Sequence, residues 1–191
     1  QGEAKRDYPA SILHQSSWWK DYRYVEDYFS RINLAINQGS PCCDTLVINP
    51  VESVWSMAHH GWIRGLEPGL PEIQDLEEKY QNVFYWLMGA HIDFDYGDED
   101  MISRLYSIEK DTQGVPVLKI GEASYRQVVV AGMTTIRSTT LKILDEFQSA
   151  GGKVLFSGDA PKFVDALKSN LAEDVASRSY QVPFDKKSII Q

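Results

Sequence analysis

Gln127-Val-Val-Val-Ala131, then Thr139-Thr-Leu-Lys-Ile-Leu-Asp-Glu-Phe-Gln-Ser-Ala150, Gly151-Gly152 and Lys153-Val-Leu-Phe-Ser157 decide the fold. The two outer runs are short and apolar, which predicts strands buried on both faces. Between them Leu141, Leu144 and Phe147 recur at helical spacing and predict a helix over 139–150. Gly151-Gly152 ends that helix by tolerating a left-handed backbone. A strand that returns after one helix and a two-residue hop pairs in parallel through a right-handed crossover.

The same pattern continues in both directions. Asp44-Thr-Leu-Val-Ile-Asn-Pro50 predicts another buried strand, and Tyr180 to Phe184 the last one. His91 to Asp95 predicts a short strand. Val117 to Ile120 predicts an edge strand, with Gly121 to Ser124 as a turn. Val25, Tyr28, Phe29, Ile32 and Ile36 predict a first helix, stopped by Gly39 and Pro41. Val51 to Gly69 has no clean period and predicts a short helix and a long loop. Pro71 opens a helix with Ile73, Leu76, Tyr80, Val83, Phe84 and Leu87 as its buried stripe. Glu99 to Leu105 predicts a short helix, and Pro161 opens another carrying Phe163, Val164 and Leu167. The expected fold is therefore α/β: a flavodoxin-like, doubly wound, mostly parallel sheet of about five strands with helices on both faces. Residues 1–20 read as an irregular arm, and 21–191 as the α/β domain.

The chain has 191 residues, which is one domain or a little more, and 43% apolar residues, which is ordinary for a globular protein. Its formal charge of −8 argues against nucleic-acid binding, which favours a basic face. No apolar run reaches the roughly 20 residues that span a bilayer. No signal peptide is visible, and Gln1 is not an initiator Met, so the chain is read as a processed product or a cut-out piece. The only cysteines, Cys42 and Cys43, are neighbours, which excludes a disulfide scaffold.

Ligands of doubly wound sheets lie beyond the carboxyl ends of the strands. No Gly-rich phosphate loop stands there: Pro50 lacks an N–H, and Glu52 would repel a phosphate. No cofactor and no metal site is expected. Ser157-Gly158-Asp159 is the nearest approach to a nucleophile elbow but lacks the full frame, and Ser157 is expected to cap or line the turn. Asp93, Asp95, Asp98, Glu99 and Asp100 form the densest acidic run. It departs from the EF-hand template at Arg104 and reads as a solvated helix start. His59-His60 lacks metal-ligand spacing. Trp18, Trp19 and Trp55 are flat rings that can stack on sugars or dock the arm on a neighbour.

Several segments also resemble a known family. Lys5-Arg-Asp-Tyr-Pro9, His14-Gln-Ser-Ser-Trp-Trp-Lys-Asp-Tyr22, Glu26-Asp-Tyr-Phe-Ser-Arg31 and Asn37-Gln-Gly39 resemble the stretch where large bacterial glycoside hydrolases leave their catalytic barrel. Leu46-Val-Ile-Asn-Pro-Val-Glu-Ser-Val-Trp55, Phe94-Asp-Tyr-Gly-Asp-Glu99 and Gly151-Gly-Lys-Val-Leu-Phe-Ser-Gly158 are similar to their next domain, the β-galactosidase trimerisation domain. That domain has a class I glutamine amidotransferase-like fold. The resemblance implies a non-catalytic accessory or oligomerisation domain. Its partners would be the catalytic barrel of the same parent chain, further copies of the subunit and the parent enzyme's carbohydrate, with neither nucleic acid nor membrane. Trp18, Trp19, Glu52 and Trp55 would sit nearest the barrel or the sugar cleft. Asp93, Asp95, Asp98 and Glu99 are weaker candidates on an acidic loop. The resemblance also implies export to the periplasm or beyond. The cysteine of true amidotransferases would fall at Ser157 or Gly158, where this chain has none. A stand-alone hydrolase or amidase centred on Ser157 is the alternative expectation.

Overall fold

The computed structural model describes residues 14–39, 42–61, 63–64 and 67–191. In chain order the elements are α1 (Tyr22–Ile36), β1 (Thr45–Ile48), α2 (Val51–Trp55), β2 (Ile63–Arg64), β3 (Glu67–Pro68), α3 (Pro71–Gly89), β4 (Phe94–Gly97), α4 (Glu99–Leu105), β5 (Tyr106–Lys110), β6 (Pro116–Ile120), β7 (Ala123–Tyr125) and β8 (Gln127–Ala131). They continue with β9 (Thr135–Ile136), α5 (Ser138–Ser149), β10 (Lys153–Ser157), β11 (Phe163–Val164), β12 (Leu167–Lys168), α6 (Leu171–Ser177), β13 (Tyr180–Val182) and α7 (Lys186–Ile189). The chain divides into two compact units, 1–41 and 42–191. The boundary expected after residue 20 lies inside the first of them.

In the first unit, α1 buries none of its residues. Tyr24, Tyr28 and Phe29 are all well exposed, and Val25, Ile32 and Ile36 extend the same apolar face. Much of the expected arm, residues 1–13, lies outside the described residues.

The second unit is built on a five-stranded sheet in the order β13-β10-β8-β1-β4, and every neighbouring pair is parallel. Counted along the chain this is the flavodoxin-like order, with the first strand between the second and the third. Alternation along each strand sends side chains to two faces. Leu46, Ile48, Val128, Val130, Val154 and Phe156 pack on one face with Leu141, Leu144 and Phe147 of α5 and Ala172 and Val175 of α6. Val47, Val129 and Ala131 pack on the other with Val83 and Leu87 of α3 and Ile189 of α7. Both faces are thus dry, which is why these strands read as continuous apolar runs.

Several local expectations are corrected. Phe163, Val164 and Leu167 form a hairpin, not a helix: β11 pairs with β12, and Asp165 and Ala166 turn the chain with φ of 51° and 61°. Phe163 and Val164 also pair with Thr135 and Ile136, so a strand edge outweighs local helical spacing. The helix begins only at Leu171. The strand expected at His91 begins at Phe94, because His91 has a φ of 57° and finishes the end of α3. Val117 to Ile120 is the centre of an antiparallel sheet, β5-β6-β7, not an edge, and the expected turn supplies β7. Tyr80 and Phe84 are partly exposed. They pack on Tyr96 and Phe94 of β4, the sheet's edge strand, beyond which no further strand of that sheet covers them. The loop between α2 and α3 contains the short hairpin β2-β3.

Candidate functional site

The crevice beyond β1 and β8 is the topological switch point, where a sheet of this order holds its ligand. Here a side chain of the protein spans it. Ser53 on α2 is fully buried, and its Oγ accepts hydrogen bonds from Thr134 N at 2.9 Å and Thr135 N at 3.1 Å. The same hydroxyl donates to Thr135 O at 3.2 Å. Three bonds at one atom tie the loop after β1 to the loop after β8.

A charged network lies beside the stitch. Arg137 Nε donates to Glu52 Oε1 at 2.7 Å, and Arg137 Nη2 lies 2.5 Å from the same oxygen. Arg137 Nη1 reaches Asp100 Oδ1 at 3.5 Å. The Arg137 backbone N donates to Glu99 Oε2 at 2.8 Å. The hydrogen bond that Arg137 donates to Glu52 raises the Arg137 pKa further, so the guanidinium stays charged.

Glu99 overturns the solvated reading of the acidic run, for it is fully buried at the first turn of α4. Burial raises its pKa, while the Thr140 hydroxyl and the Arg137 amide oppose the rise. Glu99 Oε1 and Thr140 Oγ1 nevertheless lack a well-formed hydrogen bond with any described residue. Asp98 caps α4 by accepting from Met101 N at 2.9 Å, as acids do at helix starts. Asp93 and Asp95 belong elsewhere. They stand before and early in β4, whereas Asp98 follows it, about 16 Å along the strand direction from Asp93. Asp95 accepts from the Tyr125 hydroxyl at 2.9 Å. The acidic run is therefore not one site, and no group of three metal-ligating side chains occurs among the described residues.

The other sequence candidates separate similarly. Glu52 and Trp55 share α2, and Trp55 is 61% exposed. Trp18 and Trp19 lie in the turns before α1, 40% and 42% exposed, in the first unit. His59 and His60 are exposed, and both cysteines are free thiols. Burial, followed by the backbone bond to Thr45 in the opposite sense, pushes the Cys43 thiol up in pKa and away from thiolate chemistry.

Next to the switch point a cleft of about 770 Å³ lies beyond β8, β10 and β13. Ser157 is buried at its floor, and its hydroxyl donates to Pro183 O at 3.3 Å. No histidine or cysteine lines the cleft among the described residues. Its charged lining residues are Lys79, Asp159 and Lys162. Sequence reasoning singled out neither lysine, because they come from α3 and from the loop after β10 and meet only through the sheet. Arg137 was missed for the same reason: it stands 85 residues from Glu52 in the chain. No protein-family model, curated protein or solved structure matches the chain.

Proposed function

We propose that this chain is a non-catalytic accessory domain of a multidomain glycoside hydrolase, packing on the catalytic barrel and contributing to subunit assembly. The observation that carries the reading is α1: a fifteen-residue helix whose apolar face of Tyr24, Val25, Tyr28, Phe29, Ile32 and Ile36 is not buried by the described residues of its own unit. An amphipathic helix gains its stability from burying that face, so a neighbour is required. The segment resemblances support the barrel as that neighbour. Trp55, exposed beside the Glu52–Arg137 pair, has the ring and rim chemistry of a carbohydrate or domain contact.

The Ser157 alternative lacks support from its surroundings, since the hydroxyl is turned to a backbone carbonyl and no imidazole lines the cleft among the described residues. Two observations test the accessory reading. The coding sequence continuous with this chain is expected to specify a barrel bearing two catalytic carboxylates; a different neighbour refutes it. The chain itself is expected to leave nitrophenyl glycosides and esters intact. Turnover that Ser157→Ala abolishes would establish the hydrolase instead.

A further inference from the structure

We propose that the cleft beyond β8, β10 and β13 binds an anionic sugar, a sugar-sized polyol bearing one carboxylate or phosphate. This does not depend on the accessory reading, since the cleft belongs wholly to the second unit. Its volume of about 770 Å³ lies within the range of small-molecule sites. The charge comes from Lys162, which forms no ion pair with any described residue, and from Lys79, which lines the cleft while paired with Asp75 at 2.6 Å. Lys162 shares the cleft with Asp159 but makes no ion pair with it, so its ammonium can meet the anionic group of a ligand.

The remaining lining suits a polyol. Asp159 is exposed at the rim and accepts hydroxyl protons. Gln181 spends its amide N–H on Ala176 O at 2.8 Å, which leaves its carbonyl oxygen as an acceptor. Phe163 presents a ring that is 40% exposed, against which the C–H face of a pyranose can lie.

Two glycines also stand at strand ends in the cleft lining. Gly132 and Gly158 have φ of +65° and +82°, and a Cβ would meet Lys79 Cβ at 2.9 Å and Phe184 Cβ at 3.1 Å. Glycine thus lets Lys79 and Phe184 pack close at the strand ends, and the Gly158 N–H is already held by Val182 O at 2.9 Å.

The test is an amide-resolved NMR titration of the isotope-labelled full chain with glucuronate, glucose 6-phosphate, glucose and inorganic phosphate. Saturable shifts are expected at Gly132, Gly158 and Phe184 with at least one of the two anionic sugars. Tighter binding of glucuronate identifies a sugar acid, and tighter binding of glucose 6-phosphate a sugar phosphate. Lys162→Ala is expected to weaken binding about tenfold, as is loss of the anion in glucose, the usual effect of one charge-assisted hydrogen bond. Lys162 is exposed, so the variant's spectrum should otherwise overlay the parent's. The proposal is overturned if neither anionic sugar saturates the cleft, if glucose or inorganic phosphate binds equally well, or if Lys162→Ala changes nothing.

Discussion

Replacing Ser53 with alanine removes a single oxygen and tests whether the stitch across the switch point holds the domain together. The hydroxyl accepts from Thr134 N and Thr135 N and donates to Thr135 O. Thr134 is exposed, so its N–H can turn to water; Thr135 is buried, so its N–H cannot. An orphaned buried donor costs about 1–3 kcal/mol, and the other bonds about 1 kcal/mol more, which gives about 2–4 kcal/mol. That is a large share of the roughly 5–15 kcal/mol that holds a domain folded. At about 2–4 °C per kcal/mol for a chain of this size, a loss of about 3 kcal/mol lowers Tm by about 6–12 °C. Urea unfolding followed by far-UV circular dichroism measures the difference, and hydrogen exchange at the Thr135 amide measures it locally. Ser56→Ala is the control. Its hydroxyl donates to Ser53 O at 2.8 Å from an exposed residue, so a change within about 0.5 kcal/mol is expected. If Ser53→Ala costs no more than that control, the stitch contributes nothing and the argument fails.

Three further outcomes follow from the same region. Glu99 has a folded-state pKa above its ordinary value of 4.5, because burial disfavours the charged form. The native state therefore binds the proton more tightly, and the stability this contributes is complete below about pH 4.5 and is lost as pH rises through the folded value. Glu99→Gln cannot ionise, so its stability relative to the parent should rise toward neutral pH in paired urea titrations; a pH-independent difference rejects the assignment. Arg137→Ala strands Glu52 and should cost about 1–2 kcal/mol, after allowance for partial exposure. Arg137→Lys should recover part of that by keeping the charge without the fork, and thermal melts of the two variants that coincide would contradict the pairing. Trp55→Ala, at an exposed position, should leave the denaturation midpoint within about 0.5 kcal/mol of the parent; a larger loss would place Trp55 in the core rather than at a contact surface.

The central layers of the fold were legible because their signal is local. Leu46 to Ile48, Gln127 to Ala131 and Lys153 to Ser157 are each covered on both faces, and such burial imposes an unbroken apolar run. The helix at 138–149 was legible for the complementary reason, since its inward residues recur at helical spacing. The segment after Pro161 misled because Phe163, Val164 and Leu167 suit a helix locally, yet Thr135 and Ile136 offer a strand edge from far along the chain. Glu99 misled similarly. An acid in the first turn of a helix is ordinarily solvated, and only the packing of α4 against α5 buries this one.

Periodicity by itself determined a doubly wound parallel sheet, the alternation of its central strands with helices, and the strand ends at which function should be sought. Tertiary structure alone decided what those ends do. It joined Ser53 to Thr134 and Thr135, paired Glu52 with Arg137, and opened a cleft between Lys79 and Lys162. The reason is physical: periodicity records which residues leave water, a property of each short segment. Hydrogen bonds and charge pairs between loops depend on distances of a few ångströms, which exist only once the sheet has brought remote segments together.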